Sequence, residues 1–136
     1  MQTSGGCLCG RVRYAIDGEP AYQYNCHCRD CQRMSGAAYL PWLAVPAQAL
    51  RVDGEPRWHA RRAASGRAAS EGFCAICGSR VLGKGDALPG LVLVAAGTLD
   101  DPALFQPTAD IFTRAAPYWD MMDPVIDKWP DAPEEN

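Results

Sequence analysis

The seven cysteines of this chain constrain its fold more than any other feature. They fall into three closely spaced groups: Cys7 and Cys9; Cys26, Cys28 and Cys31; Cys74 and Cys77. Such spacing is typical of metal ligands, and an odd number of cysteines leaves one thiol unpaired if the others form disulfides. The first residues form neither a charged nor an apolar leader, so we expect a cytoplasmic protein, in which disulfides are rare. We therefore interpret the groups as metal sites, with disulfides as the alternative.

The two doublets predict a closed structural site, because four thiolates complete a tetrahedral zinc shell. Each doublet is followed by a glycine, Gly10 or Gly78, which can take a positive φ and turn backbone N–H groups towards the sulfurs. A shared metal would tie the N-terminal turn to the middle of the chain and contribute directly to the free energy of folding. We predict a structural zinc here, held by Cys7, Cys9, Cys74 and Cys77.

The middle group predicts an open site. In an extended segment the side chains of Cys26 and Cys28 point to one side and that of His27 to the other, and a helical turn then places Cys31 beside Cys28. Three protein ligands with a vacant fourth position are typical of catalytic zinc sites. In the alternative arrangement His27 closes the shell as a fourth ligand, which the alternation of side chains disfavours. We predict two zinc ions per chain.

The charge of the open site favours sulfur chemistry. Zinc with three thiolates has a net negative charge, which makes it a weak Lewis acid for activating water, and its soft surroundings suit another sulfur ligand. A thiol that enters the vacant position loses its proton and stays bound as a thiolate at neutral pH. The residues therefore predict a reaction of thiols rather than hydrolysis.

The residues around the cysteines resemble one known family. The stretches that carry the resemblance are Gly5–Gly10, Asn25–Cys31, Arg33–Gly36, Phe73–Ser79, Ala96–Asp100 and Pro117–Trp119. They are similar to the glutathione-dependent formaldehyde-activating enzyme family, also named for centromere protein V, over residues 5–119. The resemblance implies two β-sheets joined by zinc in a β-tent. It also implies condensation of formaldehyde with glutathione, which is classed in reverse as a carbon–sulfur lyase reaction.

The same resemblance implies roles for residues. Cys26, Cys28 and Cys31 match the catalytic zinc ligands, and the doublets match the structural set. Glutathione carries two carboxylates, so Arg29 and Arg33, which flank the triplet, are predicted to bind substrate; alternatively, they are solvated arginines on a helix. The expected partners are a glutathione-like thiol and a small aldehyde. A second hypothesis is a non-catalytic two-zinc module that binds a partner, or a thiol enzyme with another small substrate. The oligomeric state stays open.

Composition limits the other function classes. The 136 residues predict a single domain, 1–136, with a frayed acidic tail at 131–136. A net charge of −3 argues against nucleic-acid binding, which needs a basic face. No apolar run approaches the ~20 residues that cross a bilayer.

Hydrophobic periodicity predicts an all-β chain with one or two short helical turns. Strands are expected over residues 11–16, 22–25, 37–45, 90–97 and 109–113, with another beginning at residue 81. Residues 48–53 and 57–61 are expected to pair as a hairpin, and residues 61–70 to form an exposed loop. A short helix is predicted over residues 30–35, ended by Gly36, and a helical turn at 100–102. Pro41 is expected to mark an edge or a bulge.

Overall fold

The computed structural model describes residues 2–133 and is mainly β. The strands are β1 Gln2–Gly6, β2 Arg13–Asp17, β3 Tyr22–Cys26, β4 Leu40–Pro46, β5 Leu50–Asp53, β6 Arg57–Arg62, β7 Ala68–Phe73, β8 Arg80–Gly85, β9 Leu91–Ala95, β10 Ala109–Ile111 and β11 Asp127–Lys128. The α-helix, α1, spans Arg29–Ser35. A small sheet has the order β1-β2-β5, and a large sheet has the order β11-β10-β3-β4-β9-β8-β7-β6. The prediction of two sheets in a mainly β chain is confirmed.

One face of the large sheet packs against the small sheet. Tyr14 and Ile16 of β2 alternate with less buried neighbours and point into this core. They meet apolar side chains of the large sheet that are at most 4% exposed: Leu43, Val45, Val81, Leu82 and Val94. Removing these surfaces from water is the main force that holds the two sheets together.

The other face of the large sheet carries the cysteine triplet, and we call it the triplet face. Cys26 of β3 pairs with Leu40 of β4 and with Ile111 of β10, so the three side chains lie side by side. Trp42 lies in the same layer over Gly83, where an added Cβ would come within 3.2 Å of the indole ring. This apolar layer surrounds the buried cysteines.

The helix and strand predictions around the triplet are confirmed, except for Pro41. Helix α1 ends at Gly36, which has a φ of 68° and donates its N–H to Gln32 O. Strands β3 and β10 lie where they were expected. The expectation that Pro41 marks an edge or a bulge is wrong, because Pro41 lies in β4 between β3 and β9 and pairs in regular register with Asn25. The pairing with β9 begins only at Trp42. Its missing N–H therefore costs no hydrogen bond on that side.

Two further local predictions are wrong, the second only in part. Residues 48–53 and 57–61 do not form a hairpin, because β5 pairs with β2 in the small sheet and β6 pairs with β7 in the large one. The chain changes sheets after Gly54, whose φ is 88° and whose added Cβ would lie 2.2 Å from Arg11 O. The expected loop over residues 61–70 is only half as long, 63–67, since β6 runs to Arg62 and β7 starts at Ala68.

The acidic tail lies partly inside the described range. Asp131 Oδ2 lies 2.9 Å from Arg114 Nη2, and Asp131 O accepts the N–H of Phe112. The rest of the predicted tail, residues 134–136, lies outside the described residues. Within residues 2–133, none of the helices has the length and apolar character needed to span a membrane.

Candidate metal centres

The structure brings the two cysteine doublets together. The sulfurs of Cys7, Cys9, Cys74 and Cys77 all lie within 4.8 Å of one another. The first doublet follows β1 of the small sheet, and the second lies between β7 and β8 of the large sheet. Gly10 and Gly78 have φ values of 81° and 79°, as expected for the turns that follow the doublets. This group therefore joins the two sheets.

The triplet is gathered where β3 meets α1. Cys26 is the last residue of β3, Cys28 is the N-cap of α1, and Cys31 lies in its first turn. Their three sulfurs also lie within 4.8 Å of one another. Cys26 and Cys31 are buried, whereas Cys28 is half-buried. The group is therefore reached from the side of Cys28.

Both groups of cysteines suit a soft metal ion. In the triplet, hydrogen bonds from Cys26 and Cys31 lower the pKa of the Cys28 thiol to about 2. Hydrogen bonds with Cys28 and Cys31 raise the pKa of Cys26 well above its ordinary value. Like charges this close cannot all form unless a cation is present. A set of three or four thiolates fits zinc, which prefers sulfur ligands.

His27 does not complete the triplet. Its side chain is fully buried, its Nε2 lies 2.7 Å from Asp110 Oδ1, and its Nδ1 contacts Asp120 Oδ2. Both ring nitrogens therefore contact carboxylates, and His27 is not part of the group of possible ligands around the triplet, so the alternative with His27 as fourth ligand is wrong. The backbone of His27 is held as well, because its N–H donates to Ile111 O and its carbonyl accepts from Gln32 Nε2.

Asp110 is the centre of the polar group behind the triplet. It is 1% exposed, and its carboxylate also lies 3.2 Å from Asn25 Nδ2 and 3.0 Å from Lys128 Nζ. Burial alone would raise the pKa of Asp110, but the hydrogen bonds from His27, Lys128 and Asn25 outweigh it and the pKa is lowered. Asp110 therefore remains a carboxylate.

The comparisons with known proteins bear on this pair of cysteine groups. A family model described as glutathione-dependent formaldehyde-activating enzyme matches residues 2–115. The chain belongs to this family. A crystal structure of a Rhodobacter sphaeroides protein has 22% sequence identity and a TM-score of 0.59, with 76% of this chain and 96% of that chain covered. This likeness shows a shared fold. No match is found among curated proteins.

The two arginines predicted to bind substrate lie on α1, the helix that also contains Cys31. Arg29 and Arg33 are both exposed. Arg29 Nη1 donates to Gln32 Oε1 within the helix. No bound group shows whether either arginine contacts a substrate, so their role stays a prediction.

Sequence reasoning missed Arg61, which it placed in an exposed loop. Arg61 lies on β6, donates to Asp30 Oδ2 at 2.8 Å and to Glu71 Oε1 at 2.9 Å, and thereby links α1 to β7. Because Asp30 precedes Cys31, this guanidinium lies near the triplet. No periodic pattern marks it, since β6 is almost entirely polar and exposed.

Aromatic side chains close the triplet on its apolar sides. Tyr24 packs against the cluster that contains Cys26, and burial together with the three neighbouring thiols raises the pKa of its hydroxyl. The Tyr24 hydroxyl therefore stays protonated. Tyr39 lies on the His27 side, with its ring centroid 4.9 Å from the imidazole centroid.

Proposed function

We propose that this protein is a zinc-dependent enzyme of the carbon–sulfur lyase type. It adds a glutathione-like thiol to a small aldehyde such as formaldehyde, or reverses that step. The observation that carries the proposal is the convergence of three cysteines, in a chain of this family, with no fourth protein ligand beside them among residues 2–133. The burial of His27 against Asp110 and Asp120 supports it, because His27 is then unavailable as a fourth ligand.

The residues that would hold zinc in this proposal are Cys26, Cys28 and Cys31 at the reactive site. Cys7, Cys9, Cys74 and Cys77 would hold a structural ion. A zinc ion bound at the triplet would supply a soft cation that stabilises a substrate thiol as its thiolate at neutral pH. Sulfur donors favour this chemistry over hydrolysis.

The residues of the chain prepare the site. The N–H of Cys31 donates to Cys28 Sγ at 3.3 Å, which fixes the cysteine nearest to solvent. Trp42 and Leu40 exclude water from the buried side of the triplet. Arg61 places positive charge near Cys31 and so offsets part of the negative charge of three thiolates. A substrate therefore approaches past Cys28.

A non-catalytic module that binds a partner is the second candidate. Apolar side chains are exposed in the segment that follows Pro117: Tyr118 is 98% exposed, Met121 91% and Val125 87%. Exposed apolar patches of this kind are frequent at interaction sites. Binding of a partner to this surface would not depend on a vacant position at the triplet.

One assay separates the two candidates. We expect zinc-loaded protein to consume formaldehyde only in the presence of a thiol. The rate with glutathione is compared with the rates with other thiols. Cys28→Ser should abolish the thiol-dependent rate, whereas Ser65→Ala in an exposed turn should leave it unchanged. The proposal is wrong if folded, zinc-replete protein shows no thiol-dependent consumption, or if Cys28→Ser keeps the full rate.

A further inference from the structure

A cleft of about 350 Å³ opens between the two cysteine groups. One wall contains Met34 and Leu40, which also pack in the cluster around Cys26 and Cys31. The opposite wall contains Gly78, which directly follows Cys77. The cleft therefore lies beside the open triplet and is lined by residues that neighbour both cysteine groups. Its volume is at the lower end of the range for small-molecule sites, about 300–1,000 Å³.

Arg80 is the charged residue that lines this cleft. Its Nη1 donates to Met34 O at 2.6 Å, and its Nε is buried without a hydrogen-bond partner. Across residues 2–133, no carboxylate forms an ion pair with Arg80, whereas Arg13, Arg61 and Arg114 each have at least one. A positive charge that is partly removed from water and lacks a counter-ion favours binding of an anion.

The other polar side chains of the cleft are already occupied. Ser35 Oγ donates to Tyr39 O and accepts the N–H of Ala37. Thr98 Oγ1 donates to Ala95 O and contacts the hydroxyl of Tyr14. This leaves the guanidinium of Arg80, which has five N–H donors, as the group with donors to spare. Carboxylates are the anions that this fork-shaped donor recognises best among organic groups.

We propose that this cleft binds a carboxylate of the substrate thiol and that Arg80 is the residue that recognises it. The inference rests on the proposed function and names the part of the substrate that determines specificity. A thiol with a carboxylate arm then spans from the triplet to Arg80, and a neutral thiol lacks the second contact. Recognition comes from a strand of the large sheet, in addition to any contact by the exposed Arg29 and Arg33.

The test uses a probe without a free thiol, so that binding is measured apart from the reaction. S-methylglutathione and its diethyl ester, in which both carboxylates are masked, are titrated calorimetrically into zinc-loaded protein. We expect the acid to bind about ten- to a hundredfold more tightly than the ester. Arg80→Gln should remove that difference, and Arg51→Gln, the same change at an exposed position of the small sheet, should keep it.

Two further variants guard against a loss of folding. Arg80→Lys keeps a positive charge and a donor for Met34 O, and we expect weaker binding of the acid than in the wild type. Gly97→Val fills the cleft from the other side, at a position where an added Cβ meets no atom within 4 Å, and should block binding while the chain folds. Melting curves report whether each variant is folded.

The outcomes separate this inference from the proposed function. Equal affinity for acid and ester, or an unchanged preference in folded Arg80→Gln and Gly97→Val, would overturn the carboxylate site, even if formaldehyde is consumed. Loss of the preference in both variants supports the site. If the preference is present but no thiol promotes formaldehyde consumption, the proposed reaction is wrong and the anion site stands.

Discussion

Replacing His27 by alanine is expected to destabilise the fold strongly. The imidazole connects the end of β3 to Asp110 of β10 and to Asp120, and the side chains of His27 and Asp120 are both 0% exposed. In His27→Ala, Asp110 keeps Asn25 and Lys128, but Asp120 loses its hydrogen-bond partner; its Oδ1 is already buried without one. The variant therefore leaves a buried carboxylate uncompensated.

The size of the effect follows from this geometry. Removing one partner of a buried, charged pair costs about 3–5 kcal/mol, a large share of the roughly 5–15 kcal/mol that stabilises a typical domain. With an unfolding entropy of about 2.1 cal/mol/K per residue, a chain of 136 residues should lose about 10–17 °C in Tm. His59, the other histidine, is exposed, and His59→Ala should shift Tm by less than about 2 °C.

The assay is thermal unfolding of zinc-loaded protein, followed by circular dichroism. A double variant, His27→Ala with Asp120→Ala, tests the physical cause, because it removes the carboxylate that the first change leaves unpaired. We expect it to be more stable than the sum of the two single effects predicts. If His27→Ala and His59→Ala melt at the same temperature, the buried polar group does not hold this part of the fold and the reasoning is refuted.

The remaining predictions concern the metal sites and pH. Elemental analysis should find two zinc ions per chain. Cys74→Ser should strongly lower both metal content and Tm, whereas Cys28→Ser should lose one ion and stay folded. Equal destabilisation by the two substitutions would contradict the division into a structural and a reactive site. In cobalt-substituted protein, adding a thiol should intensify the sulfur-to-metal charge-transfer absorption, with no change in Cys28→Ser; an unresponsive wild-type spectrum would indicate a closed site. Hydrogen bonds from Arg13 and Ser4 lower the pKa of Asp100 to about 2 from 3.8, so this ion pair stabilises the fold above pH ~4 and is lost as pH falls towards 2. Asp100→Asn should therefore reduce the loss of stability between pH 6 and pH 3, and an identical loss in both proteins would contradict this.

The parts of the site that sequence could predict are those fixed by local spacing. Cys26, Cys28 and Cys31 converge because a strand end and one helical turn place them together, and both elements follow from short-range pattern. Gly36 marks the end of α1 for the same reason. The mainly β character followed from short apolar strands, whereas the two-sheet arrangement followed from the family resemblance.

The residues that sequence could not place are brought together by long-range pairing. His27 and Asp120 are 93 positions apart, and no local pattern relates them. Residues 57–61 were expected to be a strand, but their partner was wrong, because β6 pairs with β7 and not with residues 48–53. The side chains of β6 are almost all exposed, so no local alternation indicates which sheet the strand joins. Arg80 could not be recognised as an anion-binding residue from the sequence, because its contact with Met34 O forms only when β8 packs against the end of α1.

A metal ion held jointly by the two doublets would also set an order of events during synthesis. Cys9 and Cys74 are 65 residues apart, so a ribosome that adds about 5–20 residues per second needs roughly 3–13 s between the two halves of the ligand set. During that interval the N-terminal doublet is a two-thiol half-site on a nascent chain, exposed to oxidants and to competing metals. If the doublets bind a metal, its supply to the emerging chain, and not only the stability of the finished protein, would help to determine how many chains reach the native state.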